Sequence, residues 1–117
     1  MKATREYTRE RPSEILVLEA KRAVSEGRVK AFIIEGKWKV FFVESRLKDK
    51  LYFLVPGTYC SCADYFFNVF LRRRERYCYH LLALKYALEE GKVRYIRVTL
   101  EEFKAQMFRK VVMGMFL

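Results

Sequence analysis

The stretch from Tyr59 to Leu88 reads YCSCADYFFNVFLRRRERYCYHLLALKYAL, and it holds all three cysteines and the only histidine of the 117 residues. They fall as two short pairs, Cys60-x-Cys62 and Cys78-x-His80, separated by residues 63–77. Three thiolates and one imidazole are a full tetrahedral set for Zn²⁺, whose borderline-soft character suits these donors. Four protein ligands leave no open position for water, so the expected metal is structural and not catalytic. Two other uses of the same residues exist: three buried cysteines with a satisfied histidine and no metal, or a Cys–His catalytic dyad. The matched C-x-C and C-x-H pairs favour zinc over both. An odd number of cysteines also fits a closed disulfide framework badly.

The spacing says where such a site must sit. Residues two apart on a helix point to different faces. Cys78 and His80 must therefore straddle a helix start, with Cys78 in the turn before it. Cys60 and Cys62 belong to the loop that follows a strand, after the breaker Pro56-Gly57. The insert between the pairs has room for a short helix, from Asp64 to about Leu71, with Phe66, Phe67 and Phe70 turned inward. Arg72, Arg73, Arg74 and Arg76 follow as a charged connection.

The flanking elements follow from periodicity and capping. Ser13 caps a helix that runs to about Glu26, with Leu16, Val17, Ala20, Ala23 and Val24 on one face and Gly27 as its stop. The period then changes. Arg28–Glu35, Trp38–Glu44 and Leu51–Val55 read as three strands joined by connections too short for parallel crossovers. An antiparallel meander is expected, with Trp38, Val40 and Phe42 on one side and Trp38 in the core. A helix beginning near Cys78 or His80 runs to about Glu90, burying Leu81, Leu84 and Leu88, and Gly91 ends it. Arg94–Val98 is extended. Thr99-Leu-Glu-Glu102 is a capping box that opens a last helix. Its apolar stripe is Leu100, Phe103, Met107, Val111 and Met115. The expected fold class is α+β: a small three-stranded antiparallel sheet with helices around one structural zinc site. A single domain spans 1–117, with an N-terminal helix at 13–27, a meander at 28–55, a metal finger at 59–90 and a C-terminal helix at 99–113.

Composition bounds the function. With 52% hydrophobic and 16% aromatic residues, a chain of this length can build a core, and a structural metal would reinforce a small one. No apolar run reaches transmembrane length, and the charged start MKATREYTRERPSE lacks the apolar region of a signal peptide. A cytoplasmic location is expected, nucleoid-associated in a prokaryote or archaeon, with reduced thiols. The net charge of +10, from 24 Lys and Arg against 14 Asp and Glu, attracts phosphate backbones and acidic partners. No phosphate-cradling glycine loop, paired carboxylates or spare histidine points to catalysis, so no enzyme is expected.

The pattern C-x-C…C-x-H, with a hydrophobic helix entering on LLAL after the histidine, resembles the SWIM zinc finger. The stretch CSCADYFFNVFLRRRERYCYHLLALKYAL is similar to the form in small standalone SWIM subunits of Shu-type recombination-mediator complexes and their archaeal relatives. The N-terminal helix, the meander before the first cysteine and the helix after VTLEEF match that layout as well. The resemblance implies Cys60, Cys62, Cys78 and His80 as zinc ligands. It also implies pairing with a RecA-like recombinase paralogue in homologous recombination repair.

Two kinds of binding are then expected. One is protein binding through the C-terminal helix and the tail VVMGMFL, with Phe103, Met107, Val111 and Met115 as contact residues for a partner or a second copy. The other is direct contact with single-stranded DNA or RNA, through Arg72, Arg73, Arg74 and Arg76 interleaved with Tyr65, Tyr77 and Tyr79.

Overall fold

The computed structural model describes residues 11–112, with side chains described as far as Arg109. The first helix, α1 (Glu14–Ser25), opens where Ser13 accepts the Leu16 N–H at 3.2 Å. It closes at Gly27, whose φ of +70° suits a residue without a Cβ; an added Cβ would also meet the Arg94 side chain at 3.2 Å. Ala20, Ala23 and Val24 form its buried stripe.

Strands β1 (Val29–Ile34), β2 (Trp38–Glu44) and β3 (Leu51–Val55) make the expected antiparallel meander. The sheet is larger than expected, however. It has five strands in the order β4-β3-β2-β1-β5, where β4 is Tyr59–Cys60 and β5 is Arg94–Val98. Strand β5 runs parallel to β1, in register from Lys30↔Arg94 to Ile34↔Val98. The three-stranded antiparallel expectation therefore falls short on both count and direction. Short connections exclude parallel pairing only between neighbours in sequence. Residues 35–93 supply the long crossover that β5 needs.

Strand alternation sorts side chains to two faces. Val29, Ala31, Val43 and Leu54 join the inner cluster beneath α1 and α2 (Tyr79–Glu90). Phe32, Ile34, Phe42 and Leu51 form an outer cluster. It is covered by α3 (Leu100–Gln106), which continues as a π-wound turn over Met107–Val112. Phe103 packs on Phe32 at 5.9 Å between ring centres, and Phe32 meets Phe42 edge-on at 5.6 Å. The capping box of α3 is complete: Glu102 N–H donates to Thr99 Oγ1 at 3.1 Å, and Thr99 N–H donates to Glu102 Oε1 at 2.8 Å.

Three burial expectations are corrected. Trp38 is 55% exposed, at the first position of β2 beside the hairpin turn. Leu88 is 41% exposed near the end of α2, where Ala87 takes the inward place. Phe66, Phe67 and Phe70 point outward, at 49%, 45% and 46% exposure. Their segment, Tyr65–Leu71, is wound as a π-helix, closed by Arg72 N–H bonded to the Phe67 carbonyl five residues back. Wider winding breaks the inward stripe expected of an α-helix, and only Val69 is buried. Of the last helix's stripe, Phe103 and Met107 pack against the outer cluster, while Leu100 is exposed. The Val111 side chain and the whole of Met115 lie outside the described residues.

Candidate metal centre

Cys60 sits on β4, opposite Leu54 of β3. Two hydrogen bonds extend the ladder one residue further: Ser61 N–H donates to the Phe53 carbonyl, and Phe53 N–H donates to Ser61 Oγ, both at 3.0 Å. The first cysteine therefore belongs to a short edge strand and not to a free loop. Extended backbone turns residues two apart to the same side, which is what Cys60 and Cys62 need to share one ion.

Cys78 and His80 take the arrangement expected from their spacing. Cys78 is the N-cap of α2, with extended φ and ψ of −82° and 169°, and His80 lies in the first turn. The Leu81 N–H donates to Cys78 Sγ at 3.5 Å, and the Tyr65 N–H donates to Cys62 Sγ at 3.3 Å. Each of these two sulfurs thus receives a backbone donor that favours its anionic form, as the N-terminus of α2 also does for Cys78.

All four side chains are buried, and their ligand atoms lie within 4.8 Å of one another. A tetrahedron with Zn–S bonds of about 2.3 Å has S···S edges of about 3.8 Å, so the cluster is of the right size for one ion. His80 supplies a second test. Both ring nitrogens are buried, and among the described residues neither makes a well-formed hydrogen bond, the polar group acting on the ring being the Cys62 sulfur. A buried imidazole without such bonds is costly in a purely apolar setting and is accounted for where one nitrogen is a ligand. The ring is held between Tyr79 and Tyr52, at centroid distances of 4.0 and 4.5 Å.

The sulfurs alone cannot carry the charge that a metal would balance. Hydrogen bonds with Cys62 and Cys78, together with burial, push the Cys60 thiol far above its ordinary range. The same bonds from Cys60 and Cys78 hold Cys62 well below it. Cys78 is pushed up to about 12: its bond to Cys60 acts downward but is outweighed by Cys62 and burial. A bound dication removes this conflict, because it stabilises all three thiolates together. The donor set, its burial and its size therefore fit a tetrahedral metal.

Sequence reasoning missed the supporting residues. Tyr52 and Tyr79 fix the imidazole plane. Arg28 is fully buried, paired with Glu26 at 3.2 Å, and its guanidinium carbon stands 5.8 Å from the centre of the Tyr79 ring. Tyr79 was legible as the residue between two ligands, whereas Arg28 carried no local signal. The arginines expected to contact nucleic acid follow the π-wound segment: Arg72, Arg74 and Arg76 are exposed and Arg73 is half-buried. Tyr65, Tyr77 and Tyr79, read as their stacking partners, pack partly buried against the inner cluster. The exposed rings nearby are Tyr59, Phe66, Phe67 and Phe70. No helix among the described residues is long and apolar enough to cross a membrane. In comparisons with known proteins, no family model, no curated protein and no solved structure matches this chain.

Proposed function

We propose that the chain is a zinc-stabilised binding protein whose metal clamps a surface used for contacts with a partner. The observation that carries this reading is the pairing of a buried Cys₃His cluster with an exposed apolar segment strung between its two halves. A closed four-ligand site does no chemistry of its own. Its effect is to fix the chain on both sides of residues 63–77, so that Phe66, Phe67 and Phe70 are presented on a rigid support.

The C-x-C…C-x-H order and the layout of helices and strands support a SWIM-type finger. By that likeness the partner is a RecA-like recombinase paralogue acting in homologous recombination repair. The test is affinity purification from native cells with nuclease treatment. Stoichiometric recovery of a RecA-like protein that survives nuclease supports the reading. Loss of every protein partner on digestion refutes it.

A second reading, direct binding of single-stranded nucleic acid, draws on the exposed Arg72, Arg74 and Arg76 beside the finger. It predicts binding that weakens steeply with salt, and a reduced salt slope when Arg72, Arg73, Arg74 and Arg76 are replaced. An unchanged slope removes that site.

A further inference from the structure

The π-wound segment and β4 enclose a groove of about 730 Å³ whose apolar wall is made by Tyr59, Tyr65, Phe66, Phe67 and Phe70. We propose that this groove docks an acidic segment of a partner protein that carries apolar anchor side chains. The inference rests on the binding-protein reading and names the partner's chemistry.

The groove is a built feature and not a scatter of surface rings. Phe66 and Phe70 stack at 6.1 Å with planes 19° apart, and Phe67 meets Phe66 edge-on at 5.2 Å. Tyr59 meets Tyr65 edge-on at 5.4 Å. Cys60 and Cys62 also line the groove, so it adjoins the segment that presents two of the candidate metal ligands. Clustered, half-exposed aromatics on a fixed support are the usual anchor pocket of a protein interface.

Charge selects the occupant. None of the described residues lining the groove is an Asp, Glu, Lys or Arg. Its C-terminal end carries more positive than negative charge: the Arg72 guanidinium lies 5.8 Å from the centre of the Phe67 ring, exposed Arg74 and Arg76 follow in sequence with half-buried Glu75 between them, and the nearby Asp64 carboxylate accepts a hydrogen bond from Asn68. Arg73, with φ of 54°, turns the chain sharply at this point, and Arg74 N–H returns to the Asn68 carbonyl at 2.8 Å. A second copy would bring a net charge of +10 against this basic rim, so like charges oppose self-association here. A nucleic acid strand would match the rim but not the wall. The phenylalanines pack on one another, Arg72 already stands over Phe67, and bases need open ring faces. Acidic residues beside Leu, Ile, Met or Phe anchors satisfy both rim and wall.

Selection of displayed random short peptides against the zinc-loaded full chain tests the proposal, followed by anisotropy titration of the enriched peptides. Phe67→Ser, Phe70→Ser and the double change Arg72→Glu with Arg74→Glu are the variants, each checked for zinc content and melting temperature. The expected result is enrichment of peptides that combine apolar residues with Asp or Glu. Each phenylalanine variant should weaken them by about tenfold or more. The arginine variant should weaken them likewise and accept peptides whose acids are changed to Lys. Three results would overturn the proposal: no enrichment, enriched peptides indifferent to these variants, or displacement of the peptides by oligothymidylate at lower concentration than by free peptide. Nuclease-treated purification separates this inference from the reading beneath it. A partner captured equally by wild type and Phe67→Ser/Phe70→Ser leaves the binding-protein reading intact and removes the groove. Absence of any partner removes the reading itself.

Discussion

Replacing Cys78 by serine and by alanine separates the two roles of one side chain. Cys78 is a metal-ligand candidate and also the N-cap of α2, accepting the Leu81 N–H at 3.5 Å. Serine is among the best N-caps but a much poorer zinc ligand than a thiolate, and alanine does neither. Structural zinc in finger peptides binds with an apparent free energy of about 10–16 kcal/mol, or about 3 kcal/mol for each of four ligands. The cap is worth about 1 kcal/mol. With zinc present, Cys78→Ser should therefore cost about 3 kcal/mol and Cys78→Ala about 4 kcal/mol. At about 4 °C per kcal/mol in a domain of this size, the melting temperature falls by roughly 12 and 16 °C. In chelator the order changes. The Cys78→Ser protein should melt at or above wild type, since it keeps the cap and removes a thiol from a cluster that cannot ionise all three. The Cys78→Ala protein should melt below the serine variant by the cap alone. Thermal unfolding followed by circular dichroism, with reductant throughout, reads all of this. A Cys78→Ser protein that matches wild type in excess zinc would refute the ligand role.

The stripped protein should also lose stability in alkali. An unfolded thiol titrates near about 8.5. Cys60 and Cys78 are raised above that value in the fold, so their contribution is intact below about pH 8.5 and lost as pH climbs toward their folded values. Cys62 is lowered; its contribution is complete above about pH 8.5 and does not offset that loss. The folded state then holds protons that the unfolded chain releases, so stability falls as pH climbs above about 8.5. Urea midpoints measured from about pH 8.5 to about pH 9.5 should fall in chelator and stay level with zinc; a level midpoint in chelator contradicts the thiol assignment. Thr99→Ala should cost about 1 kcal/mol in urea unfolding, and no loss would show that the capping box contributes nothing. Phe42→Ala, at a fully buried ring, should cost about 3–5 kcal/mol, whereas Phe67→Ser should cost under about 1 kcal/mol. Equal losses for the two would contradict the outward placement of Phe67.

The four candidate ligands were legible because their chemistry is rare and their spacing is tied to backbone geometry. C-x-H across a helix start is readable wherever a helix must begin, and the run from Leu81 to Gly91 set that start. The caps at Ser13 and Thr99 were equally local. The parallel pairing of β5 with β1 was not, because it joins Lys30 to Arg94 through a crossover that no short pattern records. The outward turn of Phe66, Phe67 and Phe70 was hidden for a related reason. An apolar ring at helical spacing reads as core, and the π winding of Tyr65–Leu71 rotates it away. The burial of Arg28 depends on α1, β2 and Tyr79 meeting around it, so it carried no signal in its own neighbours.

The central claim is that one zinc ion held by Cys60, Cys62, Cys78 and His80 fixes the fold. X-ray absorption on untagged, purified protein tests it most directly, combined with metal content and circular dichroism before and after chelation. The account predicts one zinc per chain, with three sulfurs at about 2.3 Å and one nitrogen at about 2.0–2.1 Å, and a cooperative melt that moves to much lower temperature once the metal is removed. A protein without stoichiometric zinc, or one whose cooperative melt is unchanged in chelator, would contradict it.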